Sequence, residues 1–550
     1  GNTQQLQEFD QVYIQLYNER SKLIAGDFQL ERPNSYFLTY KKRAQGGLFA
    51  TRFPVNRADT TKGRMNLQAS GSVSRGKFAR NIIQGIEANQ GPYRLQGAEG
   101  EAFIVVLSGT ERIYIDGKLL TRGQENDYTI DYNTAELTFT AKQLITKDKR
   151  IVAEFQYSDR NYTRSLVQFT DEFQSRRLRL RFNLYAEQDA KNQPVQQDLT
   201  DQQKEILRLV GDSLNRAIAP SFDSVGYEEN VLLYALIDSV VVDTVLGDST
   251  VYDSIFVFST NPEVAHYRLT FSNVGQGNGN YVLEQSIANG RVFRWVAPVN
   301  GVQQGDFEPV VLLVTPKTRQ MVTLGGDYRI SQNTNSTFEV AVSNNDLNTF
   351  SSRDGGDNVG FAGRVAVENT RRLGNDWSKG WTLTSTGNFE HLGKNFREIE
   401  RFRSVEFDRD WNIRDIPLEG DQNISGMNVR LTKAQALSVS YGLQSFNTTG
   451  DYNALKNNLL VGIKSAGFDI TYNGSLVNSR GDVRNTDFLR HKTLAKKDLK
   501  YLVIGYRDDF ENNRFRDGQG DTLLANSYRF WEWEVFVTNP DTATNKYLRS

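Results

Sequence analysis

The sequence predicts an all-β chain: N-terminal antiparallel β-domains, then an up-and-down transmembrane β-barrel left incomplete by these 550 residues, with one helical insertion. Three observations predict it. Residues 321–550 alternate apolar with polar or small side chains over long stretches. Tight turns and long polar loops take turns between those stretches. The residues before them are dense in short strands punctuated by Gly, Asn and Asp.

The clearest alternation lies in 427–443 (MNVRLTKAQALSVSYGL). Met427, Val429 and Leu431 share one face, the chain reverses near Lys433 to Gln435, and Leu437, Val439, Tyr441 and Leu443 share the same face again. A strand with one apolar and one polar or small face suits lipid outside and a polar lumen inside.

Composition narrows the class. At 38% hydrophobic residues, with no window near the roughly 18 consecutive apolar residues that a spanning helix needs, a helical membrane protein is excluded. A barrel is not, because only alternate residues meet lipid. Lys plus Arg (65) nearly cancels Asp plus Glu (66), so no nucleic-acid partner is expected. The absence of cysteine removes disulfides, thiolate metal sites and cysteine nucleophiles together. Gly1 follows no initiator Met, charged n-region or apolar h-region, which fits a mature chain or a fragment. The end, KYLRS, lacks an aromatic-terminated last strand, so truncation inside the barrel is expected.

Residues 1–168 are predicted to form an N-terminal, sandwich-like β-domain from VYIQLY, KLIAGDFQL, SYFLTY, FIVVLSG, ERIYIDG, DYTIDY, ELTFT and RIVAEFQY. KGRMNLQASGSVSRGKFARNIIQG reads as a strand pair. Residues 169–320 form a second β-rich domain with a helix over 201–219: Thr200 and Gln203 stand at capping-box spacing before Ile206, Leu207, Val210, Leu214 and Ile218, and Pro220 closes the stripe. EPVVLLVTP links it to the barrel portion, 321–550.

In that portion QMVTLGGDYRI and STFEVAVSN read as a hairpin, and NLLVGIKSAGFDITYNGSL contains a tight turn at Lys464 to Gly467. NTTGDYNALKN, SRGDVRNTDFLRH and ENNRFRDGQGDTLLANS read as long loops at the opposite, extracellular-type end. Trp531, Trp533, Val535 and Val537 share a face opposite Glu532, Glu534 and Phe536, as an interfacial aromatic girdle requires; a core stripe of a soluble sheet is the plainer reading.

Little in the chain points to catalysis. His266, His391 and His491 are far apart, without metal-ligand spacing or triad neighbours. Gly275, Gly277 and Gly279 in VGQGNGN precede a strand instead of a phosphate-binding helix, so a β-turn is expected. Asp346, Asn348, Asp354 and Asp357, in a run with Asn344, Asn345 and Asn358, could offer oxygens to Ca²⁺ but lack the bidentate Glu of an EF-hand; a solvated loop is the rival reading. No other cofactor is expected. Asp116 and Gly117 are placed to make a hairpin turn needing φ > 0, and Asp127, Tyr128, Asp131 and Tyr132 to make hydrogen bonds at a strand corner.

The stretch GTERIYIDGKLLTRGQENDYTIDY (109–132), continuing through NTAELTFT and KDKRIVAEFQYSDRNYTRS, resembles a β-domain of large, functionally unassigned outer-membrane proteins of Bacteroidota and related phyla. Their pattern reads GSERVYxDG, then DYxIDY, then GEITFT. Thr110 stands where Ser is usual and Ala135 where Gly is frequent. NQGPYRLQG, VGQGNGNYV, FRWVAPVNGVQQGDFEPV and SNNDLNTFSSRDGGDNVG are similar to the same group. The resemblance implies an outer-membrane barrel with N-terminal β-domains and supplies no catalytic residues.

The expected protein is therefore not an enzyme. It is a bacterial outer-membrane barrel with soluble β-domains, in contact with outer-membrane lipid and envelope protein partners, acting in transport, secretion or assembly. The rival is a soluble, surface-exposed β protein that binds glycan or a partner protein; a carbohydrate-active enzyme is a third reading for which no carboxylate pair stands out.

Overall fold

The computed structural model describes residues 12–539 except 32, 57, 60, 61, 75, 102, 159–161, 195–198, 230, 243–248, 285–290, 300, 375–379, 415, 417, 435, 451 and 519–521. The chain divides into two compact units. The first comprises Gly1–Ala190, Thr318–Asn345 and Gly356–Ser550, and the second Lys191–Lys317 and Asp346–Gly355.

The first unit is built on one 17-stranded antiparallel sheet. Its strands in chain order are β1 (Tyr13–Tyr17), β2 (Ser21–Leu30), β3 (Lys42–Pro54), β4 (Arg64–Ser74), β5 (Tyr162–Gln174), β6 (Leu178–Pro194), β7 (Thr318–Arg329), β8 (Thr334–Asp346) and β9 (Val359–Leu373). Then follow β10 (Trp381–Leu392), β11 (Gln422–Lys433), β12 (Leu437–Thr448), β13 (Tyr452–Ser465), β14 (Phe468–Gly481), β15 (Arg484–Asp498), β16 (Val503–Asp517) and β17 (Tyr528–Thr538). Each pairs with the next, including β4 with β5 (Ser74 opposite Arg164) and β6 with β7 (Gln188 opposite Thr318). Among the described residues β17 pairs only with β16, and β7 lies between β6 and β8, so no ladder joins β17 to β7.

This pairing cuts across the linear division at 168 and 320. Strands β1–β6, expected in soluble domains, extend the same sheet as the barrel portion, and residues 76–158 are a small domain inserted between β4 and β5. Both strands expected in KGRMNLQASGSVSRGKFARNIIQG exist but do not pair with each other: β4 joins β3 and β5, while Gly76–Gln84 joins Arg150–Ser158. SYFLTY is not a strand; it belongs to the connection 31–41, with Phe37, Leu38 and Tyr40 buried. NTTGDYNALKN and SRGDVRNTDFLRH are mostly strand, with β13 starting at Tyr452, β14 running to Gly481 and β15 starting at Arg484. Their polar residues alternate onto a covered face, which in linear reading is indistinguishable from a loop.

Tight turns otherwise sit as expected. Ala466 and Gly467, with φ of 51° and 75°, join β13 to β14, and Lys433 stands opposite Leu437 across a reversal whose Gln435 lies outside the described residues.

The alternation separates two faces of the sheet. On β8, Val340 is 54% exposed between Glu339 (5%) and Ala341 (1%), and on β9 Phe361, Val365 and Val367 are exposed while Ala362 and Ala366 are buried. On β6, Arg181, Asn183, Tyr185, Glu187 and Asp189 are buried while Phe182 is exposed. On β12, Tyr441 and Leu443 are exposed and Ser440 is buried. Large apolar side chains thus stand exposed on one face, whereas the covered face mixes charged and polar groups with apolar ones such as Leu166, Met321 and Phe446.

The second unit carries α1 (Asp201–Val210), capped by the reciprocal Thr200–Gln203 bonds. The helix stops nine residues before the predicted 219, because Gly211 takes φ 67° and ends it; Ile218 instead begins a strand, Ile218–Pro220, paired with Val310–Leu312 of the EPVVLLVTP segment. The four-stranded sheets of this unit pack through Tyr234, Phe256, Tyr281 and Phe293, with Phe271 stacked on Phe293 at 4.3 Å.

Candidate functional site: an ion-pair seam under the inserted domain

The covered face of the main sheet presents carboxylates, and two connections fold onto it. Glu339 accepts from the Ser35 hydroxyl (2.6 Å) and the backbone N–H groups of Tyr36 and Phe37 (both 2.9 Å), which fixes the connection 31–41. The Tyr36 hydroxyl donates to Glu390 at 2.6 Å, and Arg403 reaches the same carboxylate at 2.7 Å. Arg403 belongs to the second connection, 393–421. Gly360 of β9 makes room for it: a Cβ there would stand 2.2 Å from the Phe396 nitrogen. Deeper along the sheet Lys42 pairs with Glu187 (3.3 Å) and Arg164 with Asp189 (2.7 Å).

The connection 393–421 contains one short turn of helix, α2 (Phe407–Asp410), and lays Trp411 against Phe446 and Tyr452. Asp410 stands between Lys456 (3.3 Å) and Arg490. Burial would push its carboxyl up, but the two cations hold it below the usual carboxylate range. Arg409 pairs with Glu511, and Asn412 with Asn513 at 2.9 Å.

The inserted domain closes over this assembly. One of its sheets contains Gly76–Gln84, Arg150–Ser158, Arg112–Ile115 and Lys118–Leu119; the other contains Tyr93–Arg94, Glu136–Phe139 and Tyr128–Asp131. Glu154, on the central strand, is 0% exposed, although its neighbours Phe155 and Ala153 pack in the domain's own core. A buried carboxylate needs cationic partners, and three converge on it. Arg401 of the connection 393–421 grips both its oxygens (Nη2–Oε2 3.1 Å), Arg112 Nε lies at 3.4 Å and Arg80 Nε at 4.0 Å.

A second buried carboxylate, Glu400, faces the domain from the other side. It receives Arg112 Nη2 at 3.1 Å, Gln156 Nε2 at 3.1 Å and the Lys41 backbone N–H at 3.2 Å. Burial raises its carboxyl above the usual range, with Lys42 and Arg112 offsetting part of the shift. Arg150 links Asp116 (2.9 Å) to Glu406 (3.2 Å), and Arg80 donates to the Val405 carbonyl (3.2 Å). A cavity of about 290 Å³ opens beside the seam, lined by Arg80, Arg401, Arg403, Phe402 and Phe407. Fixed charges of both signs, each facing its opposite, make this a recognition surface between two parts of one chain.

The residues singled out in the sequence divide between this seam and local structure. Asp116 and Gly117 take φ of 50° and 80° in the two-residue turn between Ile115 and Lys118, and the turn abuts the seam, since a Cβ on Gly117 would lie 2.8 Å from Glu406 Cγ. Asp127 accepts from the Thr121 N–H and Gln143, each at 2.7 Å, and Asp131 from the Asn133 N–H at 2.9 Å. Tyr128 is buried, and Tyr132 donates to Glu111 at 2.9 Å. These four hold the corner of the domain. Ala135 takes φ 56°, a backbone conformation that favours glycine.

The calcium candidates have other work. Asn348 is 1% exposed and donates to the carbonyls of Leu207 (2.7 Å) and Gly211 (2.8 Å), closing the C-terminal end of α1, while Asp346 accepts the Asn348 N–H at 2.9 Å. Asp354 packs on Gly211. Asp357 belongs to the first unit. Among the described residues no three of His, Cys, Asp and Glu gather as a metal site would require. Gly275 and Gly277 have φ of 100° and 70° in a turn, and His491 stacks between Tyr472 and Phe510.

The seam residues Arg80, Glu154, Glu400 and Arg401 escaped sequence reading. The only signal was Glu154 within RIVAEFQY, a charge in an otherwise apolar strand.

These features define an antiparallel β-wall with a compact β-domain inserted between two of its strands. A family model described as a domain of unknown function (DUF8818) matches residues 78–159, the inserted domain almost from end to end. No curated protein matches the chain.

Proposed function

We propose that the chain forms the wall of an outer-membrane β-barrel whose polar face is occupied by the inserted domain, and that it acts in envelope transport, secretion or assembly without catalysing a reaction. The observation that carries this reading is the row of exposed apolar side chains on the face of the strands opposite the buried charges. Phe338, Val340, Val342, Phe361, Val365, Val367, Tyr441 and Leu443 are exposed on one side while Glu339, Glu187, Asp189 and Arg164 are buried on the other. Exposed rows of large apolar side chains are unfavourable in water and favourable in lipid, at about 25 cal/mol per Å² removed from water. The resemblance of 109–132 to a domain of outer-membrane proteins supports the same reading.

Reconstitution into vesicles tests it. The chain should resist alkaline extraction, and lipids brominated along the acyl chain should quench Trp531 and Trp533. Release by alkali into a folded, soluble form would favour the rival, a surface protein whose apolar face is covered by a partner.

A further inference from the structure

We propose that residues 76–158 form a reversibly docked body, which swings off the covered face of the wall as a folded unit when the Glu154 and Glu400 ion pairs are broken. Two observations point this way. The domain's buried core, from Ala79 to Tyr157, draws every member from the domain itself and none from the wall or its connections. Its attachment to the connection 393–421 is carried by charged groups: Arg401 on Glu154, Arg112 on Glu400, Arg80 on Asp408 and Arg150 on Glu406.

A domain whose core is complete in itself loses none of it on undocking. An interface of ion pairs can be rehydrated, whereas an apolar one would leave its surface exposed to water. The tethering favours a swing over departure. The domain is held to the wall at both of its ends, for Ser74 pairs with Arg164 in the wall and Gly76 with Ser158 in the domain. The inference concerns the covered face and stands whether or not the opposite face meets lipid.

Hydrogen exchange on the full chain in detergent micelles tests it, with Glu154→Gln and Arg401→Ala as variants. The second removes the contact from outside the domain, so it leaves the domain's own fold untouched. Each should speed exchange over 398–408, the stretch whose Glu400, Arg401, Val405 and Glu406 lose their partners in the domain, by roughly tenfold or more, since a buried ion pair broken on one side weakens docking by over an order of magnitude. Exchange over 112–115 and 150–158 should stay unchanged.

Joining Gly117→Cys to Glu406→Cys, in a chain with no cysteine of its own, should cancel the effect. Loss of protection in the domain's strands together with the connection would mean melting in place, and would overturn the proposal. Unchanged exchange in both variants, or an increase that survives the crosslink, would overturn it as well. None of these readouts depends on partition into vesicles, so failure here and failure of the membrane reading are separate results.

Discussion

Arg401 and Glu154, 247 positions apart in the chain, meet side-on with both guanidinium prongs on both carboxylate oxygens. Truncating Glu154 to Ala strands Arg401 and Arg112 beside a desolvated hole, and should lower the unfolding free energy by about 3 kcal/mol. A denaturant series on the Glu154→Ala and Arg401→Ala variants and their double variant would measure this. The double variant should be less destabilised than the sum of the singles by roughly 1–3 kcal/mol, as groups in direct contact are.

Val340 lies in the middle of β8 on the exposed face. Val340→Arg should cost about 2–4 kcal/mol in lipid if that face spans the bilayer, and close to nothing if it faces water. Folding titrations in vesicles, beside the same variant in a lipid-free amphipathic polymer, would separate the two. Equal tolerance in both settings would sink the membrane reading.

Gly117 is constrained twice, by φ 80° and by Glu406. Gly117→Val should destabilise the chain by about 1–3 kcal/mol through backbone strain alone. The clash with the Glu406 side chain should add to that, so Glu406→Ala should relieve part of the penalty in the double variant. Thermal unfolding would report both.

Glu400 gives the seam a pH dependence of known sign. Its ordinary value is 4.5 and burial raises it in the folded chain, so the folded state binds this proton more tightly than the unfolded one. The resulting stabilisation is complete below 4.5 and is lost as pH rises through the raised value. Comparing wild type with Glu400→Gln across that window isolates the effect: the difference in unfolding midpoint should grow in favour of Gln as pH rises. A difference that is flat or runs the other way would show that Arg112 outweighs burial.

Asn348→Ala should cost about 1–3 kcal/mol, because two buried carbonyls at the end of α1 lose their donor. Millimolar calcium should leave that loss unchanged in a thermal melt. Restoration by calcium would bring back the metal reading of Asp346, Asn348 and Asp354.

The alternation in 427–443 and the turns at Asp116–Gly117 and 466–467 were legible because they depend on neighbours in the chain. LRLRFNLYAEQDA in β6 carries the same alternation, yet flanked by shorter strands and a helix it reads as part of a soluble domain. What stayed hidden depends on distance. Nothing local marks Ser74 as the partner of Arg164, or Gln188 as the partner of Thr318, and so the insertion of 76–158 into the wall could not be read. The seam was hidden for a further reason: arginines in RFRS and REIER look like solvated charge until the sheet that buries them is in place.

The ladder that carries the inserted domain also sets an order of assembly. Pairing Ser74 with Arg164 across an unstructured stretch of some ninety residues costs roughly 3 kcal/mol more than closing a four-residue turn. Once Gly76 stands opposite Ser158 in the small domain, that stretch is already gathered, and β4 and β5 emerge as neighbours. The domain thus works as a clasp that shortens this search. A chain with 78–159 replaced by a flexible linker of equal length would face that search unaided, and its wall would form later in time even where its final register was the same.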